Sequence, residues 1–139
     1  MKFLFEDLRL SKSKPMVNAI NRLVDAGVSL EKIAESFSHS PNSEHKILII
    51  ADASHLIKEK VISFSRLGKI YECAPDTFHL FCKELQEIYR ASPEKYFLLT
   101  QNNWDFFTHY ISSHKTPKDF EYLYTHSPKK FKKMRSHFI

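Results

Sequence analysis

Glycine is nearly missing from this chain: Gly27 and Gly68 are the two among 139 residues. Hairpin turns, strand corners and phosphate-cradling loops rely on residues that tolerate positive φ, and glycine is the usual supplier. The scarcity argues against all-β and doubly wound α/β folds. Neither G-x-G-x-x-G nor G-K-[ST] occurs, which removes the dinucleotide and P-loop fingerprints. Cysteine is equally sparse, and Cys73 and Cys82, nine residues apart, make no disulfide framework. No apolar run approaches the roughly 20 residues that span a bilayer. The opening MKFLFEDLRL places Glu6, Asp7 and Arg9 where a signal peptide carries an unbroken apolar run. A soluble, cytoplasmic protein in a reducing compartment is expected.

What the chain does contain is apolar bulk. The hydrophobic fraction is 42%, with twelve Phe and six Tyr, which is material for a core without a metal or disulfide staple. Charge is uneven. Residues 1–114 carry fourteen basic and fourteen acidic side chains, whereas 115–139 carry seven and two. The net +5 thus belongs to the C-terminal end.

A recurring pattern sets the fold class. SPEKYFLL at 92–99 has counterparts in APDTFHLF (74–81), TPKDFEYL (116–123) and SPKKFKKM (127–134). Proline suits the first turn of a helix, where its missing N–H has no partner to lose, and a preceding Ser or Thr caps the next free N–H groups. Pro41, Pro93, Pro117 and Pro128 have that cap; Pro75, after Ala74, and Pro15, after Lys14, lack it. All six read as helix starts. Periodicity agrees: Val17, Ile20 and Val24 share a face that ends at Gly27, and Ser29 caps a helix with Leu30, Ile33 and Phe37 inward. A longer segment runs from Pro41 to Gly68, interrupted near Asp52–Ser54. Phe78, Phe81, Cys82, Leu85 and Ile88 form the cleanest stripe. The expectation is an all-α protein of seven or eight short helices, in an irregular bundle or stacked hairpins. A helical domain over 1–126 would be followed by a basic amphipathic helix or tail over 127–139, packed on it. The proline spacings of 26, 34, 18, 24 and 11 share no period, so what recurs is a helix start and not a repeat unit.

The segment LLTQNNWDFFTHY, 98–110, resembles the LLTQ-x-N-aromatic opening of α-helical repeats in Legionella-type secreted effectors. It departs after Trp104, where those repeats carry small aliphatic residues and this chain has Asp105, Phe106 and Phe107. The resemblance implies a helical effector or accessory acting through protein contacts, in a bacterial cytoplasm or, if secreted, a host cytosol. It transfers no catalytic residue.

Candidate chemistry is thin. The stretch 26–47 has a helix-turn-helix outline, but Ser38 stands where the turn favours glycine, and the reading segment SPNSEHK offers one Lys and no Arg. Cys73, His79 and Cys82 are the one Cys/His grouping. A structural zinc needs four ligands, and Cys82 sits on an apolar stripe that suits a core cysteine better than a nucleophile. Glu84 and Glu87 read as a solvated face. Asp52, His55 and Glu59 are spaced to share one side of a helix. No catalytic residue, cofactor or metal is assigned.

Two features stand above this background. One is the aromatic density of 96–124, whose wide apolar arc is either core, sandwiched between neighbouring helices, or a surface from which Trp104, Phe106, Phe107, Tyr110 and Tyr122 are candidate contacts for a partner or for self-association. The other is SPKKFKKMRSHFI, where Lys129, Lys130, Lys132, Lys133 and Arg135 surround Phe131, Met134 and Phe138 at helical spacing. Together they point to a non-catalytic module that binds another protein, acidic at the contact, and regulates or inhibits it. The alternative is nucleic-acid or anionic-membrane binding through the basic tail.

Overall fold

The computed structural model describes residues 13–38 and 43–138, and every regular element among them is helical. The N-terminal stretch MKFLFEDLRL, the Ser40–Pro41 helix start and the middle of the 26–47 segment lie outside the described residues. The described residues form ten α-helices: α1 (Lys14–Asp25), α2 (Leu30–Ser38), α3 (Ser43–Ala51), α4 (Ser54–Lys58), α5 (Phe64–Cys73), α6 (Phe78–Ala91), α7 (Pro93–Thr100), α8 (Trp104–Ser112), α9 (Pro117–His126) and α10 (Pro128–Arg135). The all-α class agrees with the sequence, while the expected count of seven or eight is too low.

The extra helices come from the stretch read as one long segment. It breaks at Asp52–Ala53, near the expected place, and again at Lys60. There the Lys60 N–H donates to Ile57 C=O at 3.0 Å and the Val61 N–H to Leu56 C=O at 2.9 Å, with Lys60 at φ 61°. This is a Schellman cap, in which one residue past the helix adopts a left-handed conformation. Gly27 makes the same cap after α1, with bonds from Gly27 to Val24 and from Val28 to Leu23 at φ 105°. Glycine is the usual occupant, so the stop at Lys60 carries no sequence mark.

Gly68 corrects another expectation. It lies inside α5, which continues to Cys73, and is no stop. A Cβ added there would sit 3.3 Å from Lys46 Cε and 3.9 Å from Ile50 Cδ1. The two glycines therefore carry opposite predictions. Gly68→Ala is expected to stabilise by about 0.5–1 kcal/mol, because alanine is the better helix former and the end of a lysine chain moves easily. Gly27→Ala is expected to cost about 1 kcal/mol by backbone conformation alone, since its Cβ meets nothing within 4 Å. Urea unfolding midpoints should move in opposite directions, and shifts of the same sign would contradict these backbone roles.

Side-chain capping accounts for half of the ten starts. Ser13 accepts from the Met16 N–H at 3.4 Å and caps α1, so Pro15 sits in a capped first turn after all. Ser29 does the same for α2 through Lys32, and Ser92 for α7 through Lys95. Thr116 and Asp119 exchange bonds in a capping box on α9. Ser63 caps α5 through Arg66, a signal with no proline beside it. Pro75 opens a 3₁₀ turn, Pro75–Thr77, that leads into α6. Ser127 precedes α10 but makes no side-chain cap.

The chain divides into two compact units, 1–68 and 69–139. In the first, α1 packs on α3 and α4, and α2 packs on α3. Ile20, Leu23, Ile33, Ile47, Ile50 and Leu56 are fully buried there. In the second, α6 meets α7, α7 meets α8, α8 meets α9 and α9 meets α10, while α9 also returns to α6. Glu84 and Glu87 hold that return. The Lys118 N–H, at the start of α9, donates to Glu84 Oε1 at 2.9 Å, and its ammonium pairs with Glu87. The hydrogen bond from Lys118 holds the Glu87 carboxyl below its ordinary value and, reciprocally, the ammonium above its own. Both carboxylates stay half-exposed, so the polar side of α6 is solvated as expected and also carries a surface pair to α9.

Candidate functional site

The basic end of the chain is a docked helix. Phe131 of α10 is buried, with ring centroids 5.1 Å from Phe106, 5.2 Å from Phe120 and 5.2 Å from Tyr124. Phe138, just beyond α10, stacks on Phe106 at 5.3 Å and 17°. Heptad-like spacing sends Phe131 inward and leaves Lys129, Lys130, Lys132 and Lys133 exposed, with Arg135 half-buried. The apolar side of the tail is thereby occupied by its own unit. A surface-lying membrane helix inserts that same side.

The aromatic candidates separate in the same way. Phe106 and Phe107 are each 1% exposed and belong to the core of the second unit, both packed on Phe120. Trp104 is half-buried against Phe107. Tyr110 is half-buried on Phe106 and Phe120, and burial followed by the Asp119 charge raises its hydroxyl pKa. Tyr122 is 64% exposed, its ring 4.2 Å from His126. Of the five, Tyr122 alone stands clear of the core.

Between α7, the end of α9 and α10 lies a cleft of about 540 Å³. The register of α10 supplies one wall: Pro128, Phe131, Lys132 and Arg135 recur at helical spacing and line it, whereas Lys129, Lys130 and Lys133 do not. The opposite wall is Lys95 and Leu98 of α7, continued by Asn102. Leu98 is 37% exposed, one of few large apolar side chains left in water. Tyr124 and Thr125 close the end. Asn103 fixes the floor by donating from Nδ2 to the Leu98 C=O at 2.9 Å, which satisfies a carbonyl at the end of α7. Residues of the 98–110 segment thus build a joint between α7 and α8.

The electrostatics are one-sided. Three lining residues are cations and none is a carboxylate. Lys95 is partly neutralised by Glu121, 3.4 Å away. The Arg135 Nε is buried and meets no acceptor. Leaving such a donor unpaired costs about 1–3 kcal/mol. Lys132 and Arg135 were candidates from the sequence; Lys95, Leu98 and Asn102 were not, because they stand some thirty to forty positions away and neither the 92–99 helix start nor the 98–110 segment shows that they face α10.

Cys82 is buried on the α6 stripe, and burial pushes its thiol from 9.0 up to about 12. No group of three or more His, Cys, Asp or Glu among the described residues is arranged to hold a metal, Cys73, His79 and Cys82 included. Asp52 lies in the turn before α4 and Glu59 just past its end, so these two and His55 do not share one helix as expected; Asp52 pairs instead with Arg22 at 3.5 Å. Among the described residues no helix is long and apolar enough to cross a membrane. Comparison with known proteins gives no matching family model, no matching curated protein and no matching solved structure.

Proposed function

We propose that this protein is a non-catalytic interaction module that binds an acidic surface of another protein through its second unit, and so occupies or regulates that partner. One observation carries the reading: a cleft with three cations and no carboxylate opens beside exposed lysines on a helix whose apolar side is already packed. Such an arrangement steers an acidic partner at long range and holds it at short range. The effector-like segment at 98–110 is the reason to place the module in an effector-type setting, where blocking a partner enzyme would be its task.

A second reading has its own observation. Lys129, Lys130 and Lys133 are exposed outside the cleft, and such a row meets phosphates of nucleic acid or anionic lipid without regard to sequence. Affinity purification followed by cross-linking mass spectrometry separates the two. The acidic-partner reading expects one protein retained through nuclease treatment and moderate salt, with cross-links on Lys95 and Lys132. Complete loss on nuclease treatment would transfer the function to nucleic acid.

A further inference from the structure

We infer that the cleft between α7 and α10 is a receptor for a short acidic linear segment, in which a carboxylate meets Arg135 and Lys132 and a neighbouring apolar side chain lies over Leu98. The inference deepens the acidic-partner reading and rests on it. Its size suits this occupant: about 540 Å³ falls in the range of small-ligand sites, enough for a few residues and too little for a folded face. Its chemistry selects the charge. Arg135 lines the cleft, and the terminal nitrogens of a guanidinium match a carboxylate with two parallel bonds. Leu98, 37% exposed on the facing wall, gives an aliphatic side chain somewhere to rest. A phosphodiester backbone has no use for that apolar wall, and the open lysines of α10 suit it better.

Glu121 sets the strength of the site. Its carboxylate lies 3.4 Å from the Lys95 ammonium and competes with any incoming acid for that cation. Removing the competitor releases a third charge to the cleft, so a substitution outside the lining should tighten binding.

The probe is a fluorescein-labelled six-residue peptide of repeating Glu-Leu-Asp, measured by anisotropy, with a same-length peptide of Glu alone and a ten-nucleotide single-stranded DNA beside it. Binding of the first peptide, at least about threefold tighter than the second, is expected. Arg135→Gln should weaken it by about tenfold, and the triple variant Lys129→Gln, Lys130→Gln, Lys133→Gln by less than about threefold, mainly through the on-rate. Glu121→Gln should strengthen it by about three- to tenfold, a gain that misfolding cannot produce. Peptide binding that follows the triple variant and ignores Arg135 and Glu121 overturns the cleft while leaving an acidic partner in place. DNA binding tighter than either peptide overturns the acidic-partner reading itself. Absence of measurable binding to either peptide overturns the cleft as a receptor.

Discussion

Replacing Phe106 with alanine is expected to destabilise the second unit by about 3–5 kcal/mol. The ring is 1% exposed and touches Tyr110, Phe120, Phe131 and Phe138, which come from α8, α9, α10 and the turn after it. Truncation leaves a hole where several elements meet, and a hole fed from so many sides collapses poorly. Against a typical total of about 5–15 kcal/mol, the loss takes a large share of stability. It also unseats α10, because Phe131 and Phe138 lose a common neighbour. Urea unfolding should show the drop, and trypsin should cut the lysine-rich helix sooner than in the parent. A loss below about 1 kcal/mol with unchanged proteolysis would mean that Phe106 is not the keystone described.

Alkylation should distinguish the two cysteines by a wide margin. Burial lifts the Cys82 thiol from 9.0 to about 12, which leaves about a thousandfold less thiolate than an ordinary thiol holds below pH 9. The thiolate is the reacting species, and Cys82 is also shielded among the residues that flank it on α6. A short pulse of iodoacetamide on the folded protein is expected to mark half-buried Cys73 and spare Cys82, while both are marked in urea. The pH linkage has a definite sign. Between about 9 and 12 the folded chain keeps a proton that the unfolded chain has released, so this group lowers stability as pH rises through that window. Equal labelling of both cysteines in the folded state would place Cys82 at the surface.

The helical class is readable from residues because its signals are local. Ser29, Ser92 and Thr116 cap what they precede, and Gly27 stops what it follows. Prediction runs short where a local signal is absent or ambiguous. Lys60 ends a helix in a conformation that glycine usually announces, and Gly68 continues one that glycine usually ends. The aromatic cluster shows a different kind of limit. Periodicity places Phe106 and Phe107 on a wide apolar arc, but whether that arc meets a neighbour or water depends on Phe120 and Phe131, which are distant in the chain. The cleft is harder still. Its cations come from α7 and α10, and only folding makes Lys95 a neighbour of Arg135's wall. Half of the site, Lys132 and Arg135, is visible as part of a charge run; the half that gives it an apolar wall at Leu98 and a limit in size is not.

The seating of Phe131 and Phe138 also bears on how binding would be driven. A basic tail that folds on contact must surrender backbone freedom at roughly 1–2 kcal/mol per ordered residue, drawn from the same interaction that holds the ligand. Here the ordering of α10 is completed by its own unit before any partner arrives. Its cations are presented on a fixed comb, and what remains to be lost on association is mostly side-chain motion. Calorimetry of such a complex would record a small heat-capacity change and a shallow entropic penalty, the thermodynamic marks of a preformed surface.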